Sequence, residues 1–359
     1  MRAIRFGVLA AALVLAGCGT VGYYGQLAQG HLSLMAQRQP IAKLLQRDDL
    51  DPELRARLML AQQARDFASH DLLLPDNESY RTYTDLGRPY AVWNVVATPA
   101  VSLEPRTWCF LVVGCLSYRG YFERSEAEAF AATLAGEGYD VSVAGARAYS
   151  TLGWFEDPLL NTMVSRGEAD LVGLVVHELA HQQLYVDDDS MFNESFATAV
   201  EREGVRRWFE HSGDAEAHRA YLASKDRKEA FHALLAEGRA ELQALYASAL
   251  SDEEKLRRKH QVFARLRERY GVLKQSWNGY TGYDAWMAQE LNNAHLALAA
   301  TYHELVPAFS ALLHASGNDL ATFYRAAAEL AELPRAKRHE AIRRYVSAPA
   351  RLSERSSGS

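Results

Sequence analysis

The stretch Leu171–Glu201, LVGLVVHELAHQQLYVDDDSMFNESFATAVE, constrains this chain more than any other. An apolar run leads into His177-Glu178-Leu179-Ala180-His181; a polar connection follows, and then Asn193-Glu194-Ser195-Phe196-Ala197. The spacing predicts a helix over 171–184, on which residues four apart share one face. His177 and His181 can therefore offer both imidazoles to one metal ion. Glu178 is turned about 100° from His177 and falls beside such an ion, where a carboxylate can take a proton from a water on the metal. The chain holds 12 His in 359 residues. At that frequency H-E-x-x-H arises by chance roughly 0.03 times. Leu171, Leu174, Val175 and Val176 also direct the helix into a core, where two unpaired imidazoles are costly. Zinc is the expected ion, one per chain.

A catalytic zinc takes three protein ligands and keeps a position for water. Glu194 lies thirteen residues past His181, early in a second predicted helix over 194–208, and is the expected third ligand. Glu201 is seven further on, two turns along the same face, and is expected to hydrogen-bond a ligand His from behind. The exchange of these two roles is the rival arrangement. Asp187-Asp188-Asp189 reads as a solvated loop. Glu178 is the expected catalytic base. Tyr302, in a later helix that also carries Asn292-Asn293, is the expected donor to the oxyanion, with Tyr283 and Tyr149 as rivals.

HELAH followed by NESFA resembles the gluzincin pattern, whose aminopeptidase branch carries HExxH and then a Glu in an NEGFA-like segment. The spacing here is several residues shorter, so that branch's loop geometry is not carried over. The chain is also similar to a family of predicted zinc aminopeptidases found as lipoproteins of Gram-negative bacteria. The stretches that carry the likeness are Leu74–Tyr80 (LPDNESY), Tyr90–Asn94 (YAVWN), Tyr118–Phe122 (YRGYF), Ala148–Phe155 (AYSTLGWF) with Asp157-Pro158, and the HELAH segment. The resemblance implies metal-dependent hydrolysis of a peptide substrate.

Met1–Gly17 carries Arg2 and Arg5 before an apolar run, and Leu15-Ala16-Gly17-Cys18 closes it. This reads as a secretory signal too short to span a bilayer as a mature helix. The ending resembles a lipobox, which implies cleavage before Cys18, a lipid on its thiol and attachment to the periplasmic side of the outer membrane. A formal charge of −6 and a pI near 6.1 give no reason to expect nucleic acid as a partner. Cys109 and Cys115 are either a disulfide, which needs a turn or bulge at Val113-Gly114, or two buried thiols.

Residues 90–98, 108–117 and 141–149 are rich in β-formers and read as strands, and 125–137 as a helix closed by Gly138. Tyr118–Phe122 and Tyr149–Trp154 are the expected sheet edge and cleft wall. Beyond Glu201 the pattern is almost wholly helical, with long stretches over 215–248, 252–270 and 284–315, the last interrupted at Pro307. The expected fold is α+β and mostly helical: a small twisted sheet beside the HExxH helix, then a long helical C-terminal region. The expected divisions are a signal peptide (1–17), a tether (18–40), a metalloprotease-like α+β region (41–210), a helical region closing the cleft (211–350) and a disordered tail (351–359). The expected activity is that of a zinc aminopeptidase. An endopeptidase or peptidoglycan-peptide hydrolase, and a non-catalytic envelope lipoprotein with a structural zinc, are the alternatives.

Overall fold

The computed structural model describes residues 22–110, 114–151, 155–165 and 167–347, and of 301–303 the backbone alone. Residues 1–17, Cys18 and the tail 351–359 lie outside the described residues. The chain opens as helix α1 (residues 22–36). Much of the stretch expected as a tether is thus helical. Tyr23 and Leu34 are buried, and this apolar surface is what docks the helix. Then come β1 (Gln39–Pro40), the single-turn α2 (Ile41–Leu44) and α3 (Pro52–His70). Asp51 caps α3 by accepting from the Leu54 N–H, and Pro52 opens it with a preset φ.

The β region follows: β2 (Thr82–Thr84), β3 (Val92–Pro99), β4 (Trp108–Phe110), β5 (Gly114–Leu116), β6 (Arg119–Tyr121), α4 (Arg124–Gly136) and β7 (Tyr139–Ala146). An antiparallel sheet of order β6-β3-β7 forms its centre, with Trp93 opposite Tyr121 on one side and Gly145 on the other. Helix α4 packs on this sheet through Ala127, Ala131 and Leu134. The expected single strand over 108–117 is instead a hairpin. β4 and β5 pair antiparallel with Cys109 opposite Cys115, and the two form a disulfide. Gly114 supplies the left-handed backbone that this reversal needs.

The next elements are β8 (Leu159–Leu160), α5 (Asn161–Val164), α6 (Glu168–Gln183) and α7 (Ser190–Ser212). β8 pairs in parallel with β2, which pairs antiparallel with β1. Leu171, Val172, Val175, Val176 and Leu179 of α6 are fully buried, as their spacing predicts. Two glycines let α6 and α7 approach closely. A Cβ on Gly173 would stand 3.2 Å from Glu201 Cγ, and one on Gly204 would stand 2.9 Å from Val176 Cγ1.

The helical remainder comprises α8 (Ala215–Ala247), α9 (Asp252–Ser276), α10 (Asp284–Met287), α11 (Asn293–His303), α12 (Val306–Ala315), α13 (Leu320–Ala331) and α14 (Arg335–Ser347). α8 and α9 form a hairpin around their own core of Phe231, Leu235, Phe263 and Leu266. Lys259 ties the hairpin to the sheet through Asp140 and the Ala100 carbonyl. The expected helical stretch over 284–315 is three helices. Asn292 caps α11, and Pro307 stands in the first turn of α12, starting that helix. Phe309, Leu312, Phe323 and Ile342, from α12, α13 and α14, join the same core as α3, α6 and α7. Among the described residues no helix is long and apolar enough to cross a membrane.

Candidate active site

The i, i+4 spacing on α6 brings the rings of His177 and His181 to 4.9 Å between centroids. Helix α7 starts at Ser190, earlier than expected, so Glu194 stands one turn inside it, facing α6. Its Oε2 lies 3.3 Å from His177 Nε2 and 3.7 Å from His181 Nε2. Donor atoms of these three residues all fall within 4.8 Å of one another, and among the described residues no fourth His, Cys, Asp or Glu joins the group. Glu201, two turns further along α7, puts its Oε2 3.0 Å from His177 Nδ1. His177 therefore has a carboxylate at each ring nitrogen. His181 has none at Nδ1, which is buried without a hydrogen-bond partner among the described residues.

Burial dominates the electrostatics, and the pairing works against it. Desolvation lowers the His177 pKa, but the hydrogen bonds to Glu194 and Glu201 prevail and raise it to about 10. Burial raises the two carboxylates, yet the charge of His181 on Glu194 and the His177 hydrogen bond on Glu201 bring both down to about 2. Burial leaves the Glu178 pKa raised despite His177 and His181 nearby. A buried carboxyl of this kind is suited to taking up a proton.

These residues line one cavity of about 1170 Å³. Tyr118 and Tyr185 also line it, close enough to Glu194 to feel its charge. Burial raises the Tyr118 phenol and pushes that of Tyr185 up to about 12, so both remain protonated donors near neutral pH. Of the other expected donors, Tyr149 is engaged and Tyr283 lies elsewhere. Tyr149 lines the cavity, but its hydroxyl meets His31 Nδ1 at 3.2 Å. Tyr283 stacks on Phe231 at 4.0 Å in the second core. Tyr302 belongs to α11, and its side chain lies outside the described residues. Of the expected cleft wall, Tyr118, Gly120, Phe122, Tyr149, Ser150 and Thr151 line the cavity, and 152–154 fall outside the described residues.

Asp157 fixes the wall segment that runs from Ser150. It accepts from the Thr151 N–H at 2.8 Å and from the Thr151 hydroxyl at 2.8 Å, and burial pushes its pKa up to about 6 against these bonds. Of the Asp triplet expected to be solvated, Asp187 and Asp188 are exposed, but Asp189 is buried. Asp189 caps α7 by accepting from the Phe192 N–H, and it is buried against Arg338 and His339 of α14. Asp188 accepts from the Cys115 N–H, which joins the β4–β5 hairpin to the loop behind His181. Apart from the cap at Phe192, the partners of Asp188 and Asp189 are distant in sequence, so no local pattern announces them. Tyr185 did carry a signal: it continues the four-residue step from His177 and His181.

A family model described as "Putative aminopeptidase" matches residues 22–342. The chain belongs to that family. Its match runs from α1 into α14 and so takes in both histidines, both α7 carboxylates and every cavity wall described above. No curated protein matches the chain, and no solved structure does. A peptidase-like role therefore has the family match and the site geometry behind it.

Proposed function

We propose that the protein is a zinc-dependent peptidase, acting as an aminopeptidase while tethered by a lipid on Cys18 to the periplasmic face of the outer membrane. The observation that carries the zinc assignment is the gathering of His177, His181 and Glu194. Tetrahedral zinc with bonds near 2.05 Å separates its ligand atoms by about 3.3 Å, and Glu194 stands 3.3 and 3.7 Å from the two imidazoles. Two imidazoles and a carboxylate are a zinc donor set, and three protein donors rather than four suit a catalytic site over a closed structural one. Zinc held there supplies Lewis-acid polarisation of the scissile carbonyl and makes water more acidic.

The chain's own residues do the rest. Glu201 accepts from His177 Nδ1–H and so leaves Nε2 free to face the metal. Glu178 accepts a proton from the attacking water and passes it to the leaving amine nitrogen as the C–O bond forms and the C–N bond breaks. Tyr118 or Tyr185 donates to the oxygen that gains charge at the carbonyl carbon. Purified protein should carry about one zinc per chain. Glu178→Gln should keep that zinc and lose about 10²–10⁴-fold in turnover. A folded protein that takes up no zinc, or a fully active Glu178→Gln, would end this reading. Comparing amino-acid amides with N-blocked peptides separates aminopeptidase from endopeptidase action.

A further inference from the structure

The cavity does not stop at the catalytic group. It runs on to a wall made by α1 and the β4–β5 hairpin, to which Tyr24, Leu27 and Ala28 contribute from α1 and Phe110 and Leu116 from the hairpin. Phe122 and Phe155 continue this wall. Among the described residues, neither α1 nor the hairpin contributes a charged side chain to the lining. Outside the donor set and its two carboxylate neighbours, the charged lining residues are Arg147, Asp170 and Lys228, from other elements.

The wall is held in place. His31 of α1 packs at a tilt against Phe155, 4.7 Å between ring centres, and bonds to the Tyr149 hydroxyl, and the Arg119 guanidinium lies 3.8 Å from the centre of the Tyr23 ring. Phe155 is nonetheless 54% exposed. A large apolar ring on the rim of a cavity has more surface to lose to an incoming apolar group than to solvent.

Building on the peptidase reading, we propose that this arm selects peptides with a bulky apolar side chain, aromatic or long aliphatic, beside the scissile bond. The occupant is substrate because the arm and Glu178 line one continuous cavity. At about 1170 Å³ the cavity exceeds the usual range of about 300–1,000 Å³ for a small-molecule pocket, so it has room for more than one side chain. Burying a leucine-sized group where alanine leaves space favours the larger peptide by about tenfold to a hundredfold.

Calorimetry on the zinc-loaded Glu178→Gln protein tests this without turnover. Trileucine should bind at least about tenfold tighter than trialanine, with a more negative heat-capacity change. Ala28→Trp, at an exposed position on the wall, fills the arm and should bring the ratio of the two affinities close to one. Phe155→Ala should lower the same ratio several-fold, and its exposure makes misfolding no explanation. Equal affinities in the starting protein, or an Ala28→Trp variant that keeps the full preference, would overturn the proposal. So would myristate binding that excludes trileucine, since the arm would then belong to a lipid chain. Selective binding by a protein that, with Glu178 intact, hydrolyses neither peptide leaves the arm assigned and removes the peptidase reading instead.

Discussion

Glu194 and Glu201 reach the same imidazole from its two ends, one at Nε2 and one at Nδ1. Their seven-residue spacing put both on one face of α7, so this much of the site was legible from helical periodicity alone. The two positions have different consequences. Glu194→Ala removes a donor and should abolish stable zinc binding, whereas Glu201→Ala removes a neighbour of a donor and should weaken zinc about 10–100-fold. Metal titration against a chelator reads the difference, and the opposite order would exchange the roles. Asp157 was not legible, because its partners depend on how a turn-rich segment folds against Tyr80 and Thr151. Its folded value of about 6 lies above the ordinary 3.8, so the folded state holds this proton more tightly than the unfolded chain does. That stabilisation is complete below pH 3.8 and is lost as pH rises through 6. The stability of the wild type relative to Asp157→Asn should therefore fall by roughly 2–3 kcal/mol between pH 4 and pH 7 in urea titrations. A pH-independent difference would refute the assignment.

Helices announced themselves where one face is apolar and the other charged, and α6, α8 and α9 lie close to their expected places. The hairpin β4–β5 did not, because a run rich in Val, Trp and Phe looks the same whether it continues or folds back at a glycine. Helix α14 carries the other lesson at this scale. Its sequence is strongly basic, yet Arg338 reaches Asp189 at 2.5 Å and stacks over Phe192 at 5.3 Å. The last described helix thus grips the cap of the helix that carries Glu194. Arg338→Met should cost about 3 kcal/mol by leaving a buried carboxylate short of its partner, measured as a shift in urea midpoint. The Asp189 carboxyl is held below its ordinary range: burial raises it, and the bonds from His339 and Arg338 prevail. Its contribution is therefore present above pH 3.8 and fades as pH falls through that depressed value, so the gap between wild type and variant should narrow in acid. An unchanged midpoint at neutral pH would show the clamp to be idle.

At the scale of the whole molecule, the α+β, mostly helical class follows from patterning, and so does the order of sheet, HExxH helix and helical remainder. What patterning could not show is that the chain's beginning and end close on the same centre. Tyr24 of α1 lines the cavity and α14 locks the cap of α7; such contacts join residues over a hundred positions apart and leave no periodic trace. Helix α1 has begun by residue 22, four positions after Cys18. Four residues of fully extended chain span at most about 14 Å. With Cys18 lipidated as proposed, the first turn of α1, whose Tyr24 lines the cavity, would be held within that distance of the lipid. So tethered, the cavity would drift with the bilayer rather than roam the space beyond it.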